Sequence, residues 1–107
     1  MFSFSIGDLY VTFYKKYDNV YFKCTDSESV GLADVVLKLT NTVTNEQFTS
    51  NKSNSEGSIL FDNLPFGTYS VTVVSKPAGY DNPTSMPNIT INTKNTPRID
   101  YVFPDSP

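Results

Sequence analysis

The residues that could do chemistry in this chain are few. It has no histidine and one cysteine, Cys24. Zinc sites and Cys–His or Ser–His catalysis require imidazole or several thiolates. The serines and carboxylates show no spacing typical of a nucleophile elbow or of a paired-acid site. The sequence therefore predicts that the chain is not an enzyme and that it needs no metal or cofactor.

A cation site is the next possibility, because Ca²⁺ prefers carboxylate and amide oxygens. Asp18, Asn19, Asp26 and Glu28 are the best candidates, but their spacing matches no regular calcium loop. We interpret them as solvated turn residues. Cys24 is interpreted as a small apolar residue buried in a strand, which is how free cysteines usually behave.

Charge and hydropathy exclude two further classes of partner. The net charge is −3, and the nearest thing to a basic run is Lys15-Lys16. A nucleic-acid-binding surface needs a basic stripe that neutralises phosphates. No segment approaches the roughly 20 apolar residues that a membrane span requires. We therefore predict neither nucleic-acid binding nor membrane insertion.

The elements that must position any site are strands. Alternation of apolar and polar residues between turn residues predicts strands, and no segment has a convincing helical period. The predicted strands are 9–14, 20–25, 35–40, 47–50, 58–61, 68–74, 88–93 and 98–103. The predicted turns and loops include 15–19, 26–31, 51–57, 63–67 and 76–87. This spacing is typical of a β-sandwich or barrel.

The chain length fits one domain. Its 107 residues can bury a single hydrophobic core, and no linker is long enough to divide it. We therefore expect one domain over 1–107. Within it, 1–19 is predicted to be an N-terminal extension or an extra hairpin, and 104–107 a tail.

Three segments carry a resemblance to a known family. They are the run GLADVVLKL at 31–39, the run SEGSILFDNLPFGTYSVTV at 55–73, and the loop KPAGY at 76–80. Together they resemble the Cna B-type (SpaA-like, prealbumin-like) domains of surface proteins over about residues 20–103. The carboxypeptidase regulatory-like domains share much of the middle segment. The resemblance implies an all-β, immunoglobulin/prealbumin-like Greek-key β-sandwich of about seven to nine short strands.

The same resemblance implies a reaction to look for. Many Cna B-type domains form an internal isopeptide bond between a Lys on the first inner strand and an Asn or Asp on the last strand, assisted by a buried acid. Lys23 lies nine residues before Leu32, as the reactive Lys of the family does. Asp100 is the only acceptor candidate within the last strand, and Val73 stands where the family has its acid. We therefore predict that this bond is absent.

Tyrosines outside that reaction are the remaining candidates for a binding site. Tyr10, Tyr14, Tyr17 and Tyr21 fall on two adjacent predicted strands, and Tyr80 lies in the 76–87 loop. Rows of tyrosine can stack on sugar rings or form the centre of a protein interface. They are predicted here as interface or glycan-binding candidates.

Together these observations favour a non-enzymatic structural or interaction module of an extracellular assembly. It would be a phage virion accessory or decoration protein, or a bacterial surface domain of the adhesin or pilin-stalk kind. The start at Met1 and the lack of a signal peptide favour the virion. A carbohydrate-binding module and an accessory domain beside an enzyme remain alternatives. Protein partners, and in one alternative a glycan, are therefore expected.

Overall fold

A computed structural model describes residues 16–107, and this part of the chain contains seven strands and no helix. The strands are β1 (Tyr17–Thr25), β2 (Val36–Asn41), β3 (Gln47–Thr49), β4 (Ser58–Pro65), β5 (Gly67–Ser75), β6 (Ile89–Ile91) and β7 (Arg98–Val102). The predicted strand at 9–14 lies outside the described residues. Within 16–107 there is also no helix of the length and apolarity that crossing a membrane requires.

The strands form two sheets that face one another as a sandwich. One sheet has three strands in the order β4-β1-β7, and the other has four in the order β3-β2-β5-β6. β1 pairs with β4 in antiparallel fashion and with β7 in parallel fashion. The first and last strands of the described fold are therefore direct neighbours, with β1 at the centre of its sheet. This confirms the predicted all-β, prealbumin-like sandwich.

The core lies between the sheets and follows from the alternation in the sequence. Along β1 the burial alternates residue by residue, so one face of the strand is apolar and the other meets solvent. Phe22 is stacked on Tyr101 at 5.6 Å between ring centroids and meets Phe61 edge-on at the same distance. The buried apolar residues are Val20, Phe22, Cys24, Leu32, Val35, Leu37, Leu39, Ile59, Phe61, Leu64, Tyr69, Val71, Ile91, Tyr101 and Phe103.

The structure corrects the predicted turn at 15–19. β1 begins at Tyr17, so Asp18 and Asn19 are strand residues. Asp18 pairs with Leu64 of β4 and is buried. The polar residues of this segment indicate a turn when the sequence is considered alone. In the structure, the side-chain oxygens of Asp18 and Asn19 accept hydrogen bonds from backbone amides far along the chain.

The predicted turn at 63–67 is also shorter in the structure. β4 continues to Pro65, and Asn63 forms an irregularity within it at φ 56°. The Asn63 backbone amide donates to Oδ1 of Asn19 at 2.9 Å. This bond gives a partner to an N–H that the irregularity leaves unpaired in the β1–β4 ladder. The hydroxyl of Tyr69 donates to the carbonyl of Pro65 at 2.6 Å, and this bond closes the connection between β4 and β5.

Gly57 allows the loop before β4 to lie directly against β1. Its φ is 81°, a conformation that side chains other than glycine rarely adopt. The Cys24 amide donates to the Gly57 carbonyl at 2.8 Å. A Cβ at this position would lie 1.8 Å from the Cys24 carbonyl oxygen. The turn predicted at 51–57 is confirmed, and Gly57 ends it.

Candidate interface on the outer face of the three-stranded sheet

The candidate site is the solvent-facing side of the β4-β1-β7 sheet, called here the outer face. β1 contributes the residues that alternate with its buried ones, and β4 and β7 contribute their outward-pointing neighbours. The outer face comprises Asn19, Tyr21, Lys23, Thr25, Ser58, Leu60, Asp62, Arg98, Asp100 and Val102.

Tyr21 lies at the centre of this face and is held in one position. It pairs with Leu60 on β4 and with Arg98 on β7. Its hydroxyl lies 2.6 Å from the hydroxyl of Ser58. The Arg98 guanidinium carbon stands 5.6 Å from the ring centroid, within the range of a cation–π contact. A fixed tyrosine and arginine are the residue types most often found at the energetic centre of an interface.

Apolar and charged groups surround Tyr21. Leu60 is 53% exposed and Val102 is 50% exposed. Nε of Arg98 lies 3.0 Å from Oδ1 of Asp100, and both side chains are exposed. Exposed pairs of this kind contribute little to stability, so the pair is free to exchange partners when another surface approaches.

The isopeptide candidates lie on the same face. Lys23 and Asp100 are register partners on β1 and β7, so the resemblance located them on adjacent strands. The Asp100 side chain is 65% exposed and is paired with Arg98. The reaction depends on burial, which favours the neutral amine and the protonated carboxyl. The outer face does not supply that environment.

One residue further along β1 and β7, on the opposite side that faces the core, the side chains are buried. Cys24 and Tyr101 are register partners there, and both are buried. Burial raises the pKa of the Cys24 thiol to about 12, so the thiolate that a nucleophile requires is not available near neutral pH. Val73 lies on β5 of the opposite sheet, paired with Leu37. No cluster of three or more His, Cys, Asp or Glu that could hold a metal ion occurs among residues 16–107.

The tyrosine candidates do not form one surface. Tyr17 alternates with the buried residues of β1, as Tyr21 does. It lies at the start of the strand, however, where it lines an open groove of about 360 Å³ beside Phe48 and Phe66. Tyr80 forms an isolated bridge with Asp105 beyond the other end of β1, and it packs partly against the core. Tyr10 and Tyr14 lie outside the described residues.

The chain after β7 is hydrogen-bonded, although it was predicted to be a tail. The Asp81 amide donates to the Pro104 carbonyl at 2.8 Å, and the Ser106 amide donates to the Gly79 carbonyl at 3.0 Å. Tyr80 therefore has a structural role in joining the 76–87 loop to the end of the chain.

Sequence reasoning missed the role of Asp18, which sits at the start of β1. Its carboxylate accepts from the Asn95 amide at 3.1 Å and from the Thr96 amide, and also from the Asn19 amide at 2.8 Å. Asp26 stands beyond the opposite end of β1, where it accepts from the amides of Glu28 and Val30. Asp18 and Asp26 are separated by the length of the strand, roughly 25 Å, so they cannot share a cation.

The fold is a prealbumin-like β-sandwich, and the outer face of its three-stranded sheet carries exposed side chains. The family model described as SpaA, prealbumin-like fold domain, matches residues 18–103. The chain therefore belongs to the SpaA prealbumin-like family. No curated protein sequence matches the chain.

Solved structures agree on the fold. The chain is similar to the TIE protein of Bacillus anthracis, with a TM-score of 0.70 and 23% identity over 81% of this chain and 16% of that one. A D312A variant of BcpA, the major pilin subunit of Bacillus cereus, has a TM-score of 0.72 and 15% identity over 82% and 29%. The major pilin SpaD of Corynebacterium diphtheriae has a TM-score of 0.68 and 13% identity over 84% and 30%. The chain thus spans less than a third of each of these proteins.

Proposed function

We propose that this domain is a structural module of a bacterial surface assembly, and that it works by holding protein neighbours rather than by catalysis. The observation that carries the proposal is its membership of the SpaA prealbumin-like family over 18–103. Two proteins with this fold, BcpA and SpaD, are themselves major pilin subunits. Their likeness supports a surface assembly over the virion that the start of the sequence favoured.

The outer face is the surface proposed to meet a protein neighbour. The Tyr21 hydroxyl lies 2.6 Å from the Ser58 hydroxyl, so the ring loses little side-chain freedom when a partner covers it, and Arg98 lies beside it with its guanidinium exposed. Leu60 on the neighbouring strand adds exposed apolar area. A rigid aromatic and an arginine with an apolar neighbour are the composition typical of an interface centre.

Site-specific cross-linking in the native cell tests this proposal. A photo-reactive amino acid replaces Leu60 on the outer face, and in a matched control it replaces Val43, which is 84% exposed in the turn between β2 and β3. We expect a discrete cross-linked protein from position 60 and not from position 43. Cross-linking from 43 alone, or from neither position, contradicts the outer face as the interface.

Carbohydrate binding is the competing function for the same tyrosines. Stacking on a sugar needs an accessible aromatic face, and at Tyr21 one face of the ring is already occupied by Arg98. We therefore expect no glycan to bind in an array measurement. Binding that is lost in Tyr21→Ala, or in Tyr17→Ala at the groove, would replace the protein interface with a carbohydrate site.

Lys23 and Asp100 are proposed to remain free side chains. Asp100 is exposed and paired with Arg98, so its carboxyl lacks the burial that favours the protonated form. Mass spectrometry of the intact chain is expected to give the unmodified mass. Loss of one water molecule, mapped to a peptide that joins β1 to β7, would contradict this.

A further inference from the structure

We infer that the fold is a mechanical clamp that resists force applied along the chain without a covalent brace. Among residues 16–107, the first and last strands, β1 and β7, are adjacent and parallel. Force applied at Lys16, directly before β1, and at the C-terminus therefore pulls β1 towards its amino end and β7 towards its carboxyl end. The two strands are displaced in opposite directions along their own axes, so the hydrogen bonds between them are loaded together.

The contact between these strands extends beyond their ladder. Register pairing runs from Tyr21–Arg98 to Thr25–Val102. At the carboxyl end the Phe103 amide donates to the Thr25 carbonyl at 2.8 Å. The bonds of parallel strands are evenly spaced, so no single bond of the ladder is isolated as the first to carry the load.

Asp18 extends the contact at the amino end of β1, which is the end at which the shear force is applied. Its carboxylate binds the consecutive amides of Asn95 and Thr96 in the β6–β7 loop. Thr96 has φ 46°, and in this left-handed conformation its amide and that of Asn95 both reach the carboxylate. Hydrogen bonds to an ionised acceptor are stronger than neutral ones. We call this arrangement the Asp18 latch.

β1 is also held on its other side, because β4 pairs with it from Tyr17–Pro65 to Lys23–Ser58. The buried side chains of β1 pack into the core, where Phe22 is stacked on Tyr101 of β7. Withdrawal of β1 therefore breaks two ladders and the aromatic contacts of Phe22 with Tyr101 and Phe61 at once. The use of this clamp in a surface assembly rests on the proposed function, whereas its resistance to force is a property of the isolated chain.

Single-molecule force spectroscopy of the full chain tests the inference with two attachment geometries. In the first, the shear geometry, handles at Lys16→Cys, which is exposed directly before β1, and at the C-terminus load β1 against β7 along their axes. In the second, one handle is attached at Ser27→Cys, just beyond the carboxyl end of β1, and the other at the C-terminus. This geometry peels the same two strands apart bond by bond. The native Cys24 is buried and does not compete for the handle.

We expect the unfolding force in the shear geometry to exceed the force in the peeling geometry several-fold at the same loading rate. Asp18→Asn keeps the shape of the side chain but removes its charge. It is expected to shorten the lifetime under constant force in the shear geometry, and to leave the peeling force unchanged. Asp34→Asn, at an exposed position in the loop before β2, is the matched control and is expected to change neither.

Two outcomes would overturn the inference. Equal forces in the two geometries would show that the parallel pairing does not act as a clamp. An equal effect of Asp18→Asn in both geometries would show that Asp18 contributes general stability and is not a latch on the path of the force. Neither measurement depends on where the native protein resides, so its failure is distinguishable from failure of the proposed function.

Discussion

Asp18 is a buried carboxylate whose partners lie far along the chain. Burial raises its pKa, but the hydrogen bonds from the amides of Asn95, Asn19 and Thr96 and the nearby charge of Lys94 lower it by more. The pKa of Asp18 therefore lies below its ordinary value of 3.8. A carboxylate that accepts hydrogen bonds from several backbone amides is expected to have a lowered pKa.

This pKa shift predicts an acid-dependent loss of stability. Because the pKa is lower in the folded state than in the unfolded state, the ionised form of Asp18 stabilises the fold above pH 3.8. That contribution is lost as the pH falls through 3.8 and then through the lower pKa of the folded state. Urea unfolding at a series of pH values should show this loss in the native chain and a smaller one in Asp18→Asn. The same acid dependence in both proteins would contradict the assignment.

Gly57 gives a second prediction at this scale, with Gly79 as its control. Both have positive φ, at 81° and 94°, but a Cβ at Gly79 would meet no atom within 4 Å. Gly57→Ala is expected to cost roughly 2–4 kcal/mol, because the clash with the Cys24 carbonyl adds to the strained backbone. Gly79→Ala should lower the free energy of unfolding only by the cost of the strained backbone. Equal losses in chemical denaturation would show that the close approach is unimportant.

At the scale of elements, two buried tyrosines should respond differently to loss of their hydroxyls. The Tyr69 hydroxyl donates to Pro65 at 2.6 Å and closes the β4–β5 connection. The Tyr101 hydroxyl is buried without a hydrogen-bond partner among residues 16–107. Tyr69→Phe should therefore cost about 1 kcal/mol, whereas Tyr101→Phe should be neutral or stabilising. Thermal unfolding of the two variants checks the difference, and the reverse order would contradict it.

The strands were predictable from the sequence wherever local alternation of apolar and polar residues is enough to define them. Leu37 and Leu39 alternate with polar residues, and β2 forms there as the pattern requires. The start of β1 was not predictable, because the amides that satisfy Asp18 lie 77 and 78 residues away. Polar residues that close long-range contacts have no local signature that separates them from a turn.

The candidate site was predictable in part. The resemblance brought Lys23 and Asp100 to adjacent strands, and the structure has them in register. The alternation Val20, Phe22, Cys24 was enough to assign Lys23 to the opposite, solvent-facing side. The contacts of Tyr21 with Ser58 and Arg98 depend on the register of three strands, which the sequence does not specify.

At the scale of the whole molecule, the parallel pairing of β1 with β7 suits a domain that is held on both sides by its neighbours in the proposed assembly. Among residues 16–107, β1 and β7 are the adjacent first and last strands, and the outer face that they share with β4 carries exposed side chains. Inward-facing residues supply a continuous core. The proposed contact with neighbours and the inferred resistance to force therefore involve the same sheet.

The most direct test of the central claim is the location and assembly state of the native protein. Quantitative mass spectrometry should compare cell-wall fractions, cytosol and purified virions from the source organism, with the surface fraction also separated by size. We expect the chain in the cell-wall fraction, within particles that also contain other protein subunits. Recovery in the cytosol alone, or in virions and not at the cell surface, would contradict the claim that this domain is a structural module of a bacterial surface assembly.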